Sequence, residues 1–126
     1  MKASFTSPLP PTLNNQIDIA RSNRYKSAEI KKRWTNAIAT ECAQLPSFPG
    51  KVWLSFEWQI KSFARDPDNI AAAAKYLLDG MVLARVIQRD NLTIIQSPVI
   101  HHYVKGADRV VVTISDRAIA WENLQN

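Results

Sequence analysis

The stretch "KVWLSFEWQIKSFARDPDN", Lys51 to Asn69, decides the fold. Val52, Leu54, Phe56, Trp58 and Ile60 alternate with Ser55, Glu57 and Gln59, and only Trp53 breaks the pattern. A period of two predicts a strand with one apolar face. That strand runs almost directly into "RDPDN", Arg65 to Asn69, where two carboxylates flank a proline behind a guanidinium. Proline is tolerated at the first helical position, because its missing N–H would be unpaired there anyway. Pro67 therefore predicts a helix start, with Asp66 as the N-cap and Asp68 in the first turn.

Working outward, the helix that starts at Pro67 is expected to reach about Gly80 and to continue or restart towards Arg85. Upstream, "SFTSPL" (Ser4–Leu9) reads as a short strand ended by prolines. The polar stretch from Thr12 to about Asn23 reads as a long loop. A helix is expected from about Tyr25 to Gln44, because Ile30, Trp34, Ala37, Ile38 and Cys42 recur at helical spacing. Downstream, Leu92–Ile100 and Arg109–Ser115 read as strands separated by a "VKGAD" turn. The expected fold is α+β, a small mixed β-sheet in the order β-α-β-α-β-β with two main helices.

At 126 residues the chain is expected to form a single domain over 1–126. The single cysteine, Cys42, excludes an intrachain disulfide and a cysteine-based zinc site. The start "MKASFTSPLPP" has no apolar stretch before its prolines and is not expected to be a signal peptide. No window approaches the roughly 20 apolar residues of a membrane span. A soluble, intracellular protein without a membrane partner is the expectation.

The charge is unevenly placed. Residues 1–36 hold Lys2, Arg21, Arg24, Lys26, Lys31, Lys32 and Arg33 against Asp18 and Glu29, which accounts for the whole net charge of +5. Such a block is the electrostatic footprint expected for a polyanion, although a solvated helix face gives the same pattern.

Two like charges in "RDPDN" need something to hold them. Capping by Asp66 and dipole compensation by Asp68 form one reading; hard oxygen ligands for Mg²⁺ form the other. Lys75 follows Asp68 by seven positions, two helical turns, and would lie on the same face. It is either a phosphate-contacting lysine or an ordinary exposed one. Asp90, in "IQRDN", is either a third acid returning to the sheet edge or a turn residue. His101 and His102 are adjacent on a strand and point to opposite faces, so they cannot readily chelate together. Trp34, Trp53, Trp58 and Trp121 could stack on bases, but Trp34 and Trp58 fit apolar stripes and read as core.

Three segments resemble the RusA family of Holliday-junction resolvases, common in phages and prophages. "LPPTLNN" (Leu9–Asn15) is similar to the family's N-terminal Pro-Pro-x-x-Asn loop, and "RSNRYKSAEIKKRWT" to the basic helix of one branch. "DPDNIAAAAKYLLDGMVLARVIQRDN" is similar to that branch's Asp-x-Asp-Asn, Leu-Asp-Gly and later Asp. In the best-known branch the lysine stands one turn earlier, at the place of Ala72, and many members pair acids near the position of Asp90.

The resemblance implies a RusA-like fold and a Mg²⁺-dependent endonuclease, with Mn²⁺ as a substitute ion. The enzyme would act as a homodimer on four-way DNA junctions in the cytoplasm of a bacterial or phage-infected cell. Asp66, Asp68 and Asp90 would ligate the metal, and Lys75 would be the catalytic or phosphate-contacting lysine. Asp79 is left structural. Asn14, Arg21, Arg24, Lys26, Lys31, Arg33 and Arg65 would hold DNA, mainly through its phosphates. Alternatives are a module that binds branched or single-stranded DNA without cutting, and a nuclease for flaps or other branched DNA.

Overall fold

The computed structural model describes residues 1–120. The elements are β1 (Lys2–Pro8), α1 (Leu13–Ser22), α2 (Arg24–Cys42), β2 (Trp53–Ile60), α3 (Pro67–Ala71), α4 (Ala74–Leu83), β3 (Ile100–Lys105) and β4 (Arg109–Ser115). The fold is α+β, with a four-stranded mixed sheet in the order β1-β4-β2-β3. β4 runs antiparallel to both β1 and β2, and β3 runs parallel to β2.

The alternation in β2 does what its spacing predicts. Leu54, Phe56, Trp58 and Ile60 are buried, and they share a sheet face with Phe5, Val110, Val112 and Ile114. Ile38 and Cys42 from α2, and Leu77 and Met81 from α4, complete this core. Burial pushes the Cys42 thiol up to about 11, which keeps it an inert apolar filler. Gly80 is what lets the two helices close. A Cβ there would lie 2.7 Å from Ile38 Cβ and closer still to Ile38 Cγ2. Trp34 packs against the core and Trp58 lies within it, while Trp121 lies outside the described residues.

Three expectations need correction. The stretch from Thr12 to Asn23 is a helix, α1, although it buries none of its residues. Distant partners replace the missing apolar stripe. Asn69 Oδ1 accepts from the Asn14 N–H, and the Gln16 side-chain amide donates to the carbonyls of Pro11 and Ala72. Next, Leu92–Ile100 is not a strand. Asn91 folds it into a turn, accepting from the Ile94 and Ile95 N–H groups and from Thr93, and Pro98 has no N–H to give a ladder. The pairing begins at Ile100 and consumes "HHYVK" instead. Finally, the helix expected from Pro67 to Gly80 is two helices. Ala73, Lys75 and Tyr76 donate to carbonyls three residues back, a tighter turn that advances the chain by a different angle.

The short link from β3 to β4 crosses the C-terminal end of β2, since both strands neighbour β2 on opposite sides. It lies so close that a Cβ on Gly106 would meet Gln59. Asp108, in the left-handed region at φ 58°, then ties three segments together. Its carboxylate accepts from the Lys61 N–H and lies 3.9 Å from Arg65, while its carbonyl accepts from the Leu9 N–H. No helix among the described residues is long and apolar enough to cross a membrane.

Candidate functional site

β2 delivers the chain to "RDPDN" at one end of the sheet, and α3 starts where Pro67 predicts. Asp66 is the backbone N-cap, with its carbonyl accepting from the Ile70 N–H, but its carboxylate makes no capping hydrogen bond. The capping role expected of that side chain is therefore not filled, and the carboxylate stays exposed. Asp68 is exposed too, its Oδ1 accepting only the neighbouring Asn69 N–H. α3 is five residues long, so its dipole contributes little to holding both charges.

The segment Thr12–Asn15 is brought against this motif. Thr12, Asn14, Asn15, Arg65, Asp66 and Asn69 line one polar hollow. The Asn69 side chain ties the two walls of the hollow together by capping the second residue of α1 at 2.9 Å. From the other side, Tyr103 on β3 donates its hydroxyl to the Pro67 carbonyl at 3.0 Å. Burial and the nearby Asp68 charge both push the Tyr103 phenol upward.

Lys75 and Asp90 belong to a different cluster. Asp79, one turn along α4 from Lys75, has its carboxyl pushed above the ordinary value of 3.8. Burial is the main cause; the Asp90 charge and a side-chain hydrogen bond to Asp90 add to it, and Lys31 and Lys75 oppose it. Asp79, which the sequence leaves structural, is thus the partner of Asp90. The resemblance covers "LLDG" but gives Asp79 no partner, because the pairing depends on the turn that brings residue 90 back to α4.

Mg²⁺ prefers hard oxygens and takes one or two carboxylates together with phosphate and water. Among the described residues no three His, Cys, Asp or Glu side chains are placed to hold a metal ion. Asp66, Asp68 and Asp90 therefore do not form one ligand set in this conformation. The donors that suit such an ion are the two exposed carboxylates of Asp66 and Asp68, with the remaining positions left to substrate and solvent oxygens.

The basic residues of the N-terminal block are spread around α1 and α2. Arg21 lies in the last turn of α1, and Arg24 places its guanidinium 5.6 Å from the Tyr25 ring centre. Lys26 is exposed in the first turn of α2, where Asn23 caps the helix. Lys31 faces Asp79, whereas Arg33 pairs with Glu29 at 3.2 Å and lines an apolar hollow with Pro8 and Trp34. Lys31 and Arg33 thus point different ways.

His101 and His102 divide between the two faces as expected. His101 registers with Phe56 and stacks on it, with its Nδ1 accepting from Trp58 Nε1 at 3.0 Å, and His102 registers with Glu57 on the other face. Tyr103 and Lys105 follow His101 on the helix-bearing face, Tyr103 near Asp68 and Lys105 over the Phe63 ring. Sequence reading missed them because their strand was placed one segment too early.

No protein-family model matches the chain, and no curated protein matches it.

Proposed function

We propose that this protein is a Mg²⁺-dependent, structure-selective endodeoxyribonuclease with a RusA-like fold, resolving four-way DNA junctions by paired symmetric cuts as a homodimer. The observation that carries the reading is the meeting of residues 12–15 with residues 64–69. These are two of the segments whose sequences resemble the resolvase family, and they line one hollow. Exposed, uncapped carboxylates at that place suit metal ligation better than helix capping.

Asp66 and Asp68 would hold the ion. Bound there, Mg²⁺ would supply Lewis-acid polarisation of a phosphodiester and a water of lowered pKa. Arg65, already at the site, would offset charge developing on the phosphate oxygens. Asn69 would keep the Thr12–Asn15 segment in place through its bond to Asn14. Arg21, Arg24, Lys26, Lys31 and Arg33 would grip the phosphate backbone without reading sequence. A two-fold dimer matches a substrate that receives two symmetric cuts.

The test is incubation of the purified protein with a four-way junction, a flap and a matched duplex, with and without Mg²⁺, beside Asp68→Asn. Symmetric junction cuts that need both Mg²⁺ and Asp68 are expected, with the variant losing roughly 100-fold or more in rate. Calorimetric Mg²⁺ titration should weaken in Asp68→Asn even without DNA. The separation of Asp90 from Asp66 and Asp68 favours a second reading, a branched-DNA binder that does not cut. Tight junction binding without cutting in Mg²⁺ or Mn²⁺ would establish it. Preferential cutting of flaps would redirect the assignment to another branched substrate.

A further inference from the structure

Beside the carboxylate hollow lies a second, smaller pocket of about 150 Å³. Ile60, Phe63, Pro67, Ile70 and Tyr103 give it an apolar, partly aromatic lining, and Arg65 completes it. Phe63 is 54% exposed, so its ring is open to solvent at the edge of this pocket. Two cations are placed here. Lys105 Nζ sits 4.8 Å from the Phe63 ring centre and donates to the Lys61 carbonyl, and Arg65 is held from behind by Asp108. Lys61 itself is exposed.

A largely apolar pocket of this volume, with the Arg65 guanidinium in its lining and the Lys105 ammonium over the Phe63 ring, has the complementarity of a nucleobase with its flanking phosphates. Aromatic walls take the π-face of any base, and the cations take the backbone beside it. A base inside a duplex is paired and stacked and cannot enter. A base at a branch point has lost a neighbour and costs less to extract.

Resting on the nuclease reading, we infer that the Phe63–Tyr103 pocket receives an unstacked base at a DNA branch point and so distinguishes branched substrate from duplex. Pro67 and Arg65 belong both to the pocket and to the motif of Asp66 and Asp68. Seating a base there would bring its adjoining phosphate to the carboxylates. Selectivity for branched DNA then follows from occupancy of the pocket, without sequence-specific contacts.

The experiment measures junction affinity in EDTA, so that no cutting occurs, with an abasic spacer replacing each branch-point base in turn. Wild-type protein should lose roughly tenfold in affinity at one or two positions. Phe63→Ala should lose the same factor on the intact junction and no more on the abasic one, while its duplex affinity stays unchanged. Phe63→Trp should restore the sensitivity. An abasic penalty that persists unchanged in Phe63→Ala would overturn the inference, as would failure of the wild-type protein to bind any junction. A coupling that holds while no cutting is seen in Mg²⁺ would refute the nuclease reading and leave the pocket assignment standing.

Discussion

Asp79 shows how one residue's surroundings set its contribution. Its carboxyl is raised above 3.8 by burial first and then by Asp90, so the folded chain holds its proton more tightly than the unfolded chain does. Between 3.8 and that raised value the native state binds more protons, and stability falls as pH rises through the window. At neutral pH the ionised side chain is a net cost that Lys31 and Lys75 only partly offset. Asp79→Asn is expected to raise the urea midpoint at pH 7, with the gain shrinking as pH falls towards 4. A gain that grows in acid would contradict the assignment. His101 has the opposite dependence. Burial lowers its pKa from 6.5, so its contribution is complete above that value and is lost as pH falls below it. His101→Phe keeps a ring on Phe56 and should flatten the fall in midpoint between pH 7 and 5.5. At this scale the sequence was informative about Asp66 and Asp68, because an acid on each side of a proline is rare punctuation. It left Asp79 structural and was silent about Tyr103 and Asp108, whose roles are made by residues elsewhere in the chain.

Elements show why some of the fold was legible and some was not. β2 and β4 were readable because each alternates against a covered face, and α2 because Trp34, Ile38 and Cys42 keep helical spacing. α1 was not readable, since no residue in it is buried and its first turn is held by Asn69 and by the Gln16 bond to the Ala72 carbonyl. The same gap explains Lys75. Seven residues after Asp68 means two turns on one face only if the helix is continuous, and the tightened turn at Ala73–Tyr76 breaks that continuity, leaving Lys75 one turn before Asp79 on α4. Asn69→Ala removes the cap on α1 and should cost about 1 kcal/mol. Hydrogen exchange should show that loss concentrated in Leu13–Ser22; uniform faster exchange would mean the clip is not local. Gly80→Ala drives a methyl into Ile38 and should cost about 1–3 kcal/mol in chemical denaturation. Pairing it with Ile38→Ala should recover part of the loss by vacating the contested space, and full additivity would place the strain elsewhere.

Across the whole molecule, the charge asymmetry of the sequence becomes a distribution over helices rather than a single patch. Apart from Lys2 on β1, α1 and α2 carry the basic block, and α1 reaches the carboxylate hollow through the Asn14–Asn69 contact. Arg21, Arg24 and Lys26 cluster in sequence at the junction of the two helices, whereas Arg33 is turned towards β1 and already shares its charge with Glu29. If the block binds DNA through phosphates, each engaged cation releases counterions, and the logarithm of affinity falls linearly with the logarithm of salt concentration. Arg24→Gln with Lys26→Gln should weaken binding to junction and duplex alike and reduce the salt slope by about two. Arg33→Gln should reduce the slope by less than one, since its guanidinium already pairs with Glu29 on the same helix. Affinities measured from 50 to 200 mM salt would separate these cases. Equal slopes for wild type and the double variant would show that the junction of α1 and α2 is a solvated face and that the DNA lies elsewhere on the molecule.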